Sequence, residues 1–383
     1  MQEFKTLAIV VNYFSAGLAV EAVRSITQSE SIGPVQIVMV DNSQDKSEAT
    51  ILQMKLPETV HLIINEINEG FGRACNRAFD QHDADMILLL NPDARLLPGA
   101  LLQLQRSLLK FDRAGAVGPQ IYWDNGKRFY LPPSSIPELL WFHPLISACA
   151  PLGRLVSRMW RQLAIRVWQS KKPVRVLNLS GGHVLLSRKA VAAAGGLFDP
   201  CFFLYYEDTD LFIRLRQAGY RLYIDPLAEV IHFYDQCGTS GLDAKRRLMA
   251  RSYQVFMDHH TRGWKRLVQK LTAKLKPAPA ISVPLSKNGY HPFEIPVALP
   301  IQKQWLFEWS PNPDFMPAAG HFGAGDTMKF PDDCWRLLAP GQYYGRLGRV
   351  SGISDRFELI SWIKKSEELG DAIGICSDRS TDN

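Results

Sequence analysis

The stretch "ADMILLLNPDA", from Ala84 to Ala94, decides how this chain is read. An apolar run of strand length, Met86 to Leu90, stops abruptly at Asn91, Pro92 and Asp93. Such a run is what a strand buried on both faces of a sheet requires. Two earlier runs repeat it: "TLAIVVNY" (Thr6 to Tyr13) and "VQIVMVDNS" (Val35 to Ser43). Between those two lies "LAVEAVRSITQS", and between the later two "GRACNRAFDQH", both with apolar residues at helical spacing. Strand and helix in alternation predict an α/β fold with a parallel sheet. Ligands of such sheets bind beyond the carboxyl ends of the strands, and each run here ends in polar residues. Those ends are Asn12, then Asp41 and Asn42, then Asn91 and Asp93.

The 383 residues allow two domains, and a net charge of +6 is too modest to indicate a nucleic-acid binder, while leaving room for an anionic ligand. Six cysteines occur without a C-x-x-C pair, which speaks against a zinc cluster or a disulfide framework and for a reducing, cytoplasmic setting. The first residues carry an acid where a signal peptide carries bases, and no apolar run reaches the length of a membrane span. From Leu139 to Phe198 there is no acidic residue, yet Arg154, Arg158, Arg161, Arg166, Lys171, Lys172 and Arg175 lie among Leu, Val, Met and Trp. This segment reads as basic and amphipathic. The α/β domain is expected to occupy residues 1–240, followed by a basic helical region and the proline linker "PAPAISVP" over 241–285. Short strand-like pieces in 286–383 predict a small β module, and "WLFEWSPNPDF" and "LLAPGQYYGRLGRV" are similar to strands of fibronectin type III-like sandwiches.

Three stretches carry chemistry. In "LLLNPDA", Asp93 at a strand end suits a divalent cation whose other faces take phosphate, although turn chemistry alone accounts for Asn-Pro-Asp. "NEGFGRACNRA" (Asn68 to Ala78) is a glycine-bearing loop opening a helix, able to present N–H groups and Arg73 to phosphate. It is neither the dinucleotide glycine pattern nor a P-loop, and a plain loop before a helix reads the same way. "YYEDTDLF" (Tyr205 to Phe212) sets Glu207, Asp208 and Asp210 in one turn directly after aromatics. First-turn carboxylates favour the helix dipole, but that leaves the aromatics unexplained. A carboxylate against apolar walls becomes more basic and suits proton abstraction from a hydroxyl. His232, in "AEVIHFYDQ", would alone pass for a core histidine.

The order "VVNYFSAG", "VDNSQD", "NEGFGRACNRA", "LNPDA", "SGG", "GLFDPCFFLYYEDTDLFIRLRQAGY" and "AEVIHF" resembles the family 2 glycosyltransferases of the GT-A fold, most closely their bacterial rhamnosyltransferase-like branch, over roughly residues 5–240. The resemblance implies a substrate site formed by Asn12, Tyr13, Asp41, Asn42, Gly70, Phe71, Arg73, Asn76, Asn91, Gly181, Gly182 and Tyr206, with Asp41 on the nucleotide base or ribose. It implies Mg²⁺ or Mn²⁺ on Asp93 and His232, where Asp93 holds the place of the last carboxylate of a D-x-D motif and Asn91 replaces the first. Asp208 becomes the catalytic base, Glu207 its neighbour in the acceptor pocket and Asp210 a support, with Phe202, Phe203, Tyr205 and Tyr206 as the pocket wall. The reaction implied is an inverting displacement from a nucleotide sugar, dTDP-rhamnose or a relative, onto a lipid-linked saccharide, with peripheral contact at the inner membrane face. A sugar nucleotidyltransferase would instead carry a basic, glycine-rich signature after the first strand, and "NYFSAGLAV" has no basic residue. A glycan-binding protein with a degenerate transferase domain is opposed by the intact Asp93, Asp208 and His232.

Overall fold

The computed structural model describes residues 4–233, 236, 242–272, 274–278, 285–289, 291–350 and 357–365. The chain divides into two compact units, Met1–Ala280 with Met316–His321, and Ile281–Phe315 with Phe322–Asn383.

The first unit opens with β1 (Thr6–Asn12), α1 (Ala16–Thr27), β2 (Val35–Asp41), α2 (Lys46–Lys55), β3 (Val60–Ile64), α3 (Phe71–Gln81) and β4 (Met86–Leu90). It continues through β5 (Ala94–Leu96), α4 (Ala100–Lys110), β6 (Ala114–Tyr122), α5 (His143–Ala148), α6 (Ala150–Trp168), β7 (Val174–Val176), β8 (His183–Ser187) and α7 (Arg188–Ala193). It ends with α8 (Glu207–Gln217), β9 (Arg221–His232), α9 (Leu242–His260) and α10 (Trp264–Thr272). The strands form one sheet in the order β3-β2-β1-β4-β8-β6-β9-β5, with β7 also on β9. Pairing is parallel through β3, β2, β1 and β4, where the sequence alternates strand and helix, and again between β6 and β9. Strand β8 enters antiparallel between β4 and β6.

The uninterrupted apolar runs follow from double-sided burial. Leu7, Ile9 and Val11 of β1 face one core with Ala74, Cys75 and Ala78 of α3 and Leu211, Phe212 and Leu215 of α8. Ala8 and Val10 face the other, with Ala19, Val23 and Ile26 of α1 and Leu101 and Leu104 of α4. Each fully buried aliphatic side chain contributes about 1.5–3 kcal/mol of transfer free energy. Ser240, the expected end of this domain, lies outside the described residues, as do 279–284 of the proline linker. The basic helices belong to the first unit, because Phe256 and Met257 of α9 bury against Phe202 and Ile213, flanked by Leu140, Trp141 and Tyr206.

In the second unit, strands Trp305–Ser310, Gly341–Arg349 and Glu358–Lys364 pair antiparallel in that order, and Leu285–Gly289 pairs parallel to the last. A short ladder joins Glu294–Pro296 to Thr327–Lys329. Its interior is aromatic: Phe293 and Phe330 contact each other, and each contacts both Trp335 and Trp362. Across the first strand pair, Arg346 donates to both oxygens of Glu308 at 2.9 and 2.7 Å, with side chains only 9% and 1% exposed. Glu308→Leu, which strands a buried guanidinium, should destabilise this unit by about 3–5 kcal/mol in urea unfolding, and adding Arg346→Met should recover most of the loss. A single variant as stable as the parent would show the pair to be dispensable.

Candidate active site

The carboxyl ends of β1, β2 and β4 meet one another. Buried Asn12 donates its amide to Asp41 Oδ1 at 3.0 Å, Ser43 Oγ at 3.1 Å and Glu48 Oε2 at 3.0 Å. Ser43 N–H also donates to Asp41 Oδ1, which leaves Asp41 Oδ2 buried and without a partner. An unmet carboxylate oxygen in a polar cradle is an acceptor held ready for an N–H or O–H of a ligand. Asn42 donates to Gly70 O, and Asn65 donates to Asn42 Oδ1. Tyr13 borders this cradle half-buried, its ring edge-on to Phe14.

Gly70 begins α3 at φ +82°, and a Cβ there would lie 2.2 Å from Phe203 O, so the position requires glycine. The N–H of Phe71 donates to that same carbonyl. Further along α3, Asn76 donates to Phe198 O and accepts from Phe198 N–H, and Arg73 donates to Pro200 O. Both polar groups of Asn76 are thus spent on the loop leading to the acidic turn, which makes Asn76 a positioning residue rather than a ligand contact. Arg73 remains exposed at the rim.

Asp93 and His232 come together through register. The β6–β9 ladder shifts at Pro119/Gln120, where Asp225 is followed by Glu229 as the opposing residue. Buried Asp225 holds this bulge, accepting from Gln103, Ser107 and the N–H of Leu227. Beyond it β9 pairs with β5, Ala94 opposite His232. His232 Nε2 then lies 3.1 Å from Asp93 Oδ1, and the N–H of Gln236 donates to Asp93 Oδ2. Burial pushes the Asp93 carboxyl up, but the hydrogen bond and charge of His232, with the Gln236 N–H, more than offset this and hold it below the usual range. His183, 5.1 Å from His232 ring to ring, is pushed down to about 3, chiefly by burial and then by His232, and is neutral.

The acidic turn is entered through two consecutive left-handed residues, Tyr205 at φ +73° and Tyr206 at φ +67°. Non-glycine residues hold that conformation only where the surroundings enforce it. Here Ser252 of α9 donates to Leu204 O, and the Tyr206 ring packs on Tyr253 and Phe256. The three carboxylates then part company. Glu207 is 5% exposed, its Oε2 has no partner, and burial, seconded by the charge of Asp208, pushes it up to about 8. Asp210 is pushed up by burial but held low overall by His260 at 2.8 Å and Arg214 at 2.7 Å. Asp208 is partly exposed, accepting from Gly181 N–H at 3.0 Å on Oδ2 and from Thr209 on Oδ1. Burial raises it, against the N–H bonds of Gly181 and Thr209.

Gly181 and Gly182 join these parts. A Cβ on Gly181 would lie 2.9 Å from Asp208 Cβ, and one on Gly182 would lie 2.5 Å from Asn91 Nδ2, while Asn91 N–H donates to Gly182 O at 2.7 Å. Of the expected aromatic wall, Phe202 is fully buried beneath α9 and is core, because its ring packs on Phe256 and Met257 rather than facing solvent. Glu48, Asp225, His183 and His260 were not singled out from the sequence; each is polar, buried or half-buried, and recognisable only through its partner.

Asp93 and His232 offer a carboxylate oxygen and an imidazole nitrogen, donors that Mg²⁺ and Mn²⁺ accept, with phosphate and water to complete the shell. A separate trio in the same unit, Asp199, Cys201 and His259, also lies within mutual reach. Its thiol suits softer metals than these.

The family model described as "Glycosyltransferase like family 2" matches residues 5–254. Two relatives, from Mycobacterium tuberculosis strains CDC 1551 / Oshkosh and ATCC 25618 / H37Rv, are each described as N-acetylglucosaminyl-diphospho-decaprenol L-rhamnosyltransferase. Each is 28% identical over 283 residues, covering 70% of this chain and 89% of its own length. The crystal structure of GalNAc-T7 with UDP, GalNAc and Mn²⁺ is similar with a TM-score of 0.50 at 16% identity over 73% of this chain. The match takes in 53% of that structure's chain, so this chain spans about half its length. That likeness concerns the fold and bears out the GT-A class that the resemblance implied.

Between the ordinary carboxyl value of 4.5 and about 8, Glu207 is protonated in the folded chain and ionised in the unfolded one. Folding therefore takes up a proton in that window, and the contribution of Glu207 to stability falls as pH rises through it, by an amount on the order of a few kcal/mol. Glu207→Gln, neutral throughout, should melt close to the parent at pH 5 and progressively above it toward pH 8. A melting difference that stays flat across the window would mean that Glu207 is ionised in the folded chain.

Proposed function

The chain belongs to the glycosyltransferase family 2-like group, and we propose that within it this protein is an inverting transferase moving rhamnose from dTDP-rhamnose to a hydroxyl of a lipid-linked saccharide. The observation that carries the mechanism is the division between two adjacent carboxylates. Glu207 is protonated at neutral pH and cannot accept a proton, whereas Asp208 is partly open to solvent and oriented by Gly181 N–H. Asp208 takes the proton of the acceptor hydroxyl as its oxygen attacks the anomeric carbon, and the nucleoside diphosphate departs on the opposite side. Burial makes Asp208 more basic than a surface aspartate, which suits proton abstraction near neutral pH. Asp210, fixed by His260 and Arg214, holds the helix that aims Asp208.

On the donor side, the unpartnered Asp41 Oδ2 accepts the imide N–H of a thymine or uracil base. Arg73 at the rim of α3 supports the diphosphate. Asp93 and His232 would hold Mg²⁺ or Mn²⁺, whose charge would stabilise the leaving diphosphate. The rhamnosyl donor and lipid-linked acceptor are supported by the description of the mycobacterial relatives.

Asp208→Asn keeps the side-chain size and should leave the melting temperature nearly unchanged while lowering turnover about 10²-fold or more. Asp93→Ala should instead abolish Mn²⁺-dependent binding of dTDP in calorimetry, a property that Asp208→Asn retains. Near-parental turnover in the first variant, or unchanged metal-dependent affinity in the second, would remove the corresponding role.

Among the described residues no helix is long and apolar enough to cross a membrane. On α10, however, Trp264, Leu267 and Leu271 are exposed at 60%, 59% and 70% beside Lys265, Arg266 and Lys270. Such a face, with Arg266 and Lys270 as its exposed bases while Lys265 turns onto Trp141, suits reversible contact with anionic lipid, each base adding about 1 kcal/mol. The protein should float with phosphatidylglycerol vesicles at low salt and not with phosphatidylcholine; equal recovery from both would exclude this contact.

A further inference from the structure

Behind the acidic turn, on the C-terminal half of α8, lies a cavity of about 620 Å³ that the reading above does not use. Its walls include Glu138 and Trp141 from the 3-10 turn Pro137–Phe142, Ile213 and Arg216 from α8, and Arg262 and Lys265 from the junction of α9 and α10. This volume is ordinary for a small-ligand site. The charge is unbalanced: Glu138 pairs with Arg216 at 2.8 Å, while Arg262 and Lys265 form no ion pair among the described residues. Lys265 lies instead over the Trp141 ring, 3.2 Å from its centroid.

Three polar atoms of these walls are buried and unpartnered, Trp141 Nε1, Arg216 Nε and Glu138 Oε2. Buried donors and acceptors in native proteins are ordinarily completed, so a cluster of unmet ones in the residues that line a cavity marks it as a candidate site for a polar ligand. Two N–H groups and two unpaired cations call for an anion with several acceptor oxygens. The unmet Glu138 oxygen calls for a hydroxyl or amide donor on the same molecule. A saccharide bearing phosphate or diphosphate supplies both.

The cavity is tied to the acidic turn, since His260, another of its wall residues, bonds Asp210. Arg216 follows Asp208 by eight positions, about 12 Å along a helix axis. We propose that this cavity binds the phosphate-bearing end of the acceptor, a saccharide diphosphate, and so orients the acceptor hydroxyl toward Asp208. The assignment rests on Asp208 as the base.

The test uses the full chain and two probes in calorimetry, inorganic pyrophosphate and a short-chain prenyl diphospho-N-acetylglucosamine in detergent micelles. Arg262→Ala combined with Lys265→Ala should weaken the prenyl-linked sugar about tenfold or more, as expected on losing two charge-assisted contacts. Affinity for dTDP with Mn²⁺ should stay within about twofold of the parent, since that site is elsewhere. Trp141→Phe, which removes only the N–H, should weaken the same probe without lowering the melting temperature. Asp208→Asn must bind the prenyl-linked sugar as the parent does, so a failure of the base assignment appears in turnover and a failure of the cavity appears in affinity. Unchanged affinity for both probes in the double variant overturns the proposal. Pyrophosphate binding as tightly as the prenyl-linked sugar overturns the acceptor assignment and leaves a site for the free anion.

Discussion

The site depends on the close approach of backbone at Gly181 and Gly182. One glycine lets Asp208 lie against the chain and take its N–H, and the next lets Asn91 do the same from the end of β4. A side chain at either position would occupy the space of a functional group, the nearest atoms being 2.9 and 2.5 Å from where its Cβ would be. The turn therefore sets the distance between the polar strand ends and the helix that carries Glu207 and Asp208. It connects directly into β8, the antiparallel strand between β4 and β6, so the spacing is inherited from the sheet rather than from a mobile loop.

Two further devices bring distant residues to this turn. Past the bulge held by Asp225, β9 stays paired with β6 in a shifted register and takes β5 on its other edge, and that register sets His232 beside Asp93. On the other side, α9 acts as a clamp: Ser252 fixes Leu204 O, Phe256 and Tyr253 hold Tyr206, and His260 binds Asp210. Two successive tyrosines kept at positive φ are the conformational cost of presenting Glu207 and Asp208 in one turn, and the packing of α9 offsets it. The family match, residues 5–254, takes in most of that helix.

Chemistry at the acidic turn follows from geometry between neighbours. Successive helical residues point about 100° apart, so one carboxylate of an adjacent pair can be sealed in the core while the other reaches solvent. The neighbouring Cys75 thiol is buried in the same core, and burial pushes it well above its usual range. Asp208 faces the glycine turn. Adjacent carboxyls in environments this different are a familiar basis for dividing roles at sites where a proton moves.

The sequence by itself determined the sheet and the polar strand ends, because a strand buried on both faces leaves an unmistakable apolar run and its ligand-side end must break that run with Asn or Asp. It also determined the membership of the acidic turn, since three carboxylates after an aromatic run have few other uses. It did not determine that Glu207 is sealed while Asp208 reaches solvent, that Asn76 is spent on Phe198, or that Phe202 is core, since each depends on what packs from an element far away in the chain. The helix expected to lie beyond the catalytic domain proved to clamp it for the same reason: Phe256, His260 and their basic neighbours look like a solvated amphipathic surface until Phe202, Tyr206 and Asp210 are placed beneath them. Local patterns record which groups must be buried, but only the tertiary structure decides against what, and the pairing of a charge with its partner is what sets its chemistry.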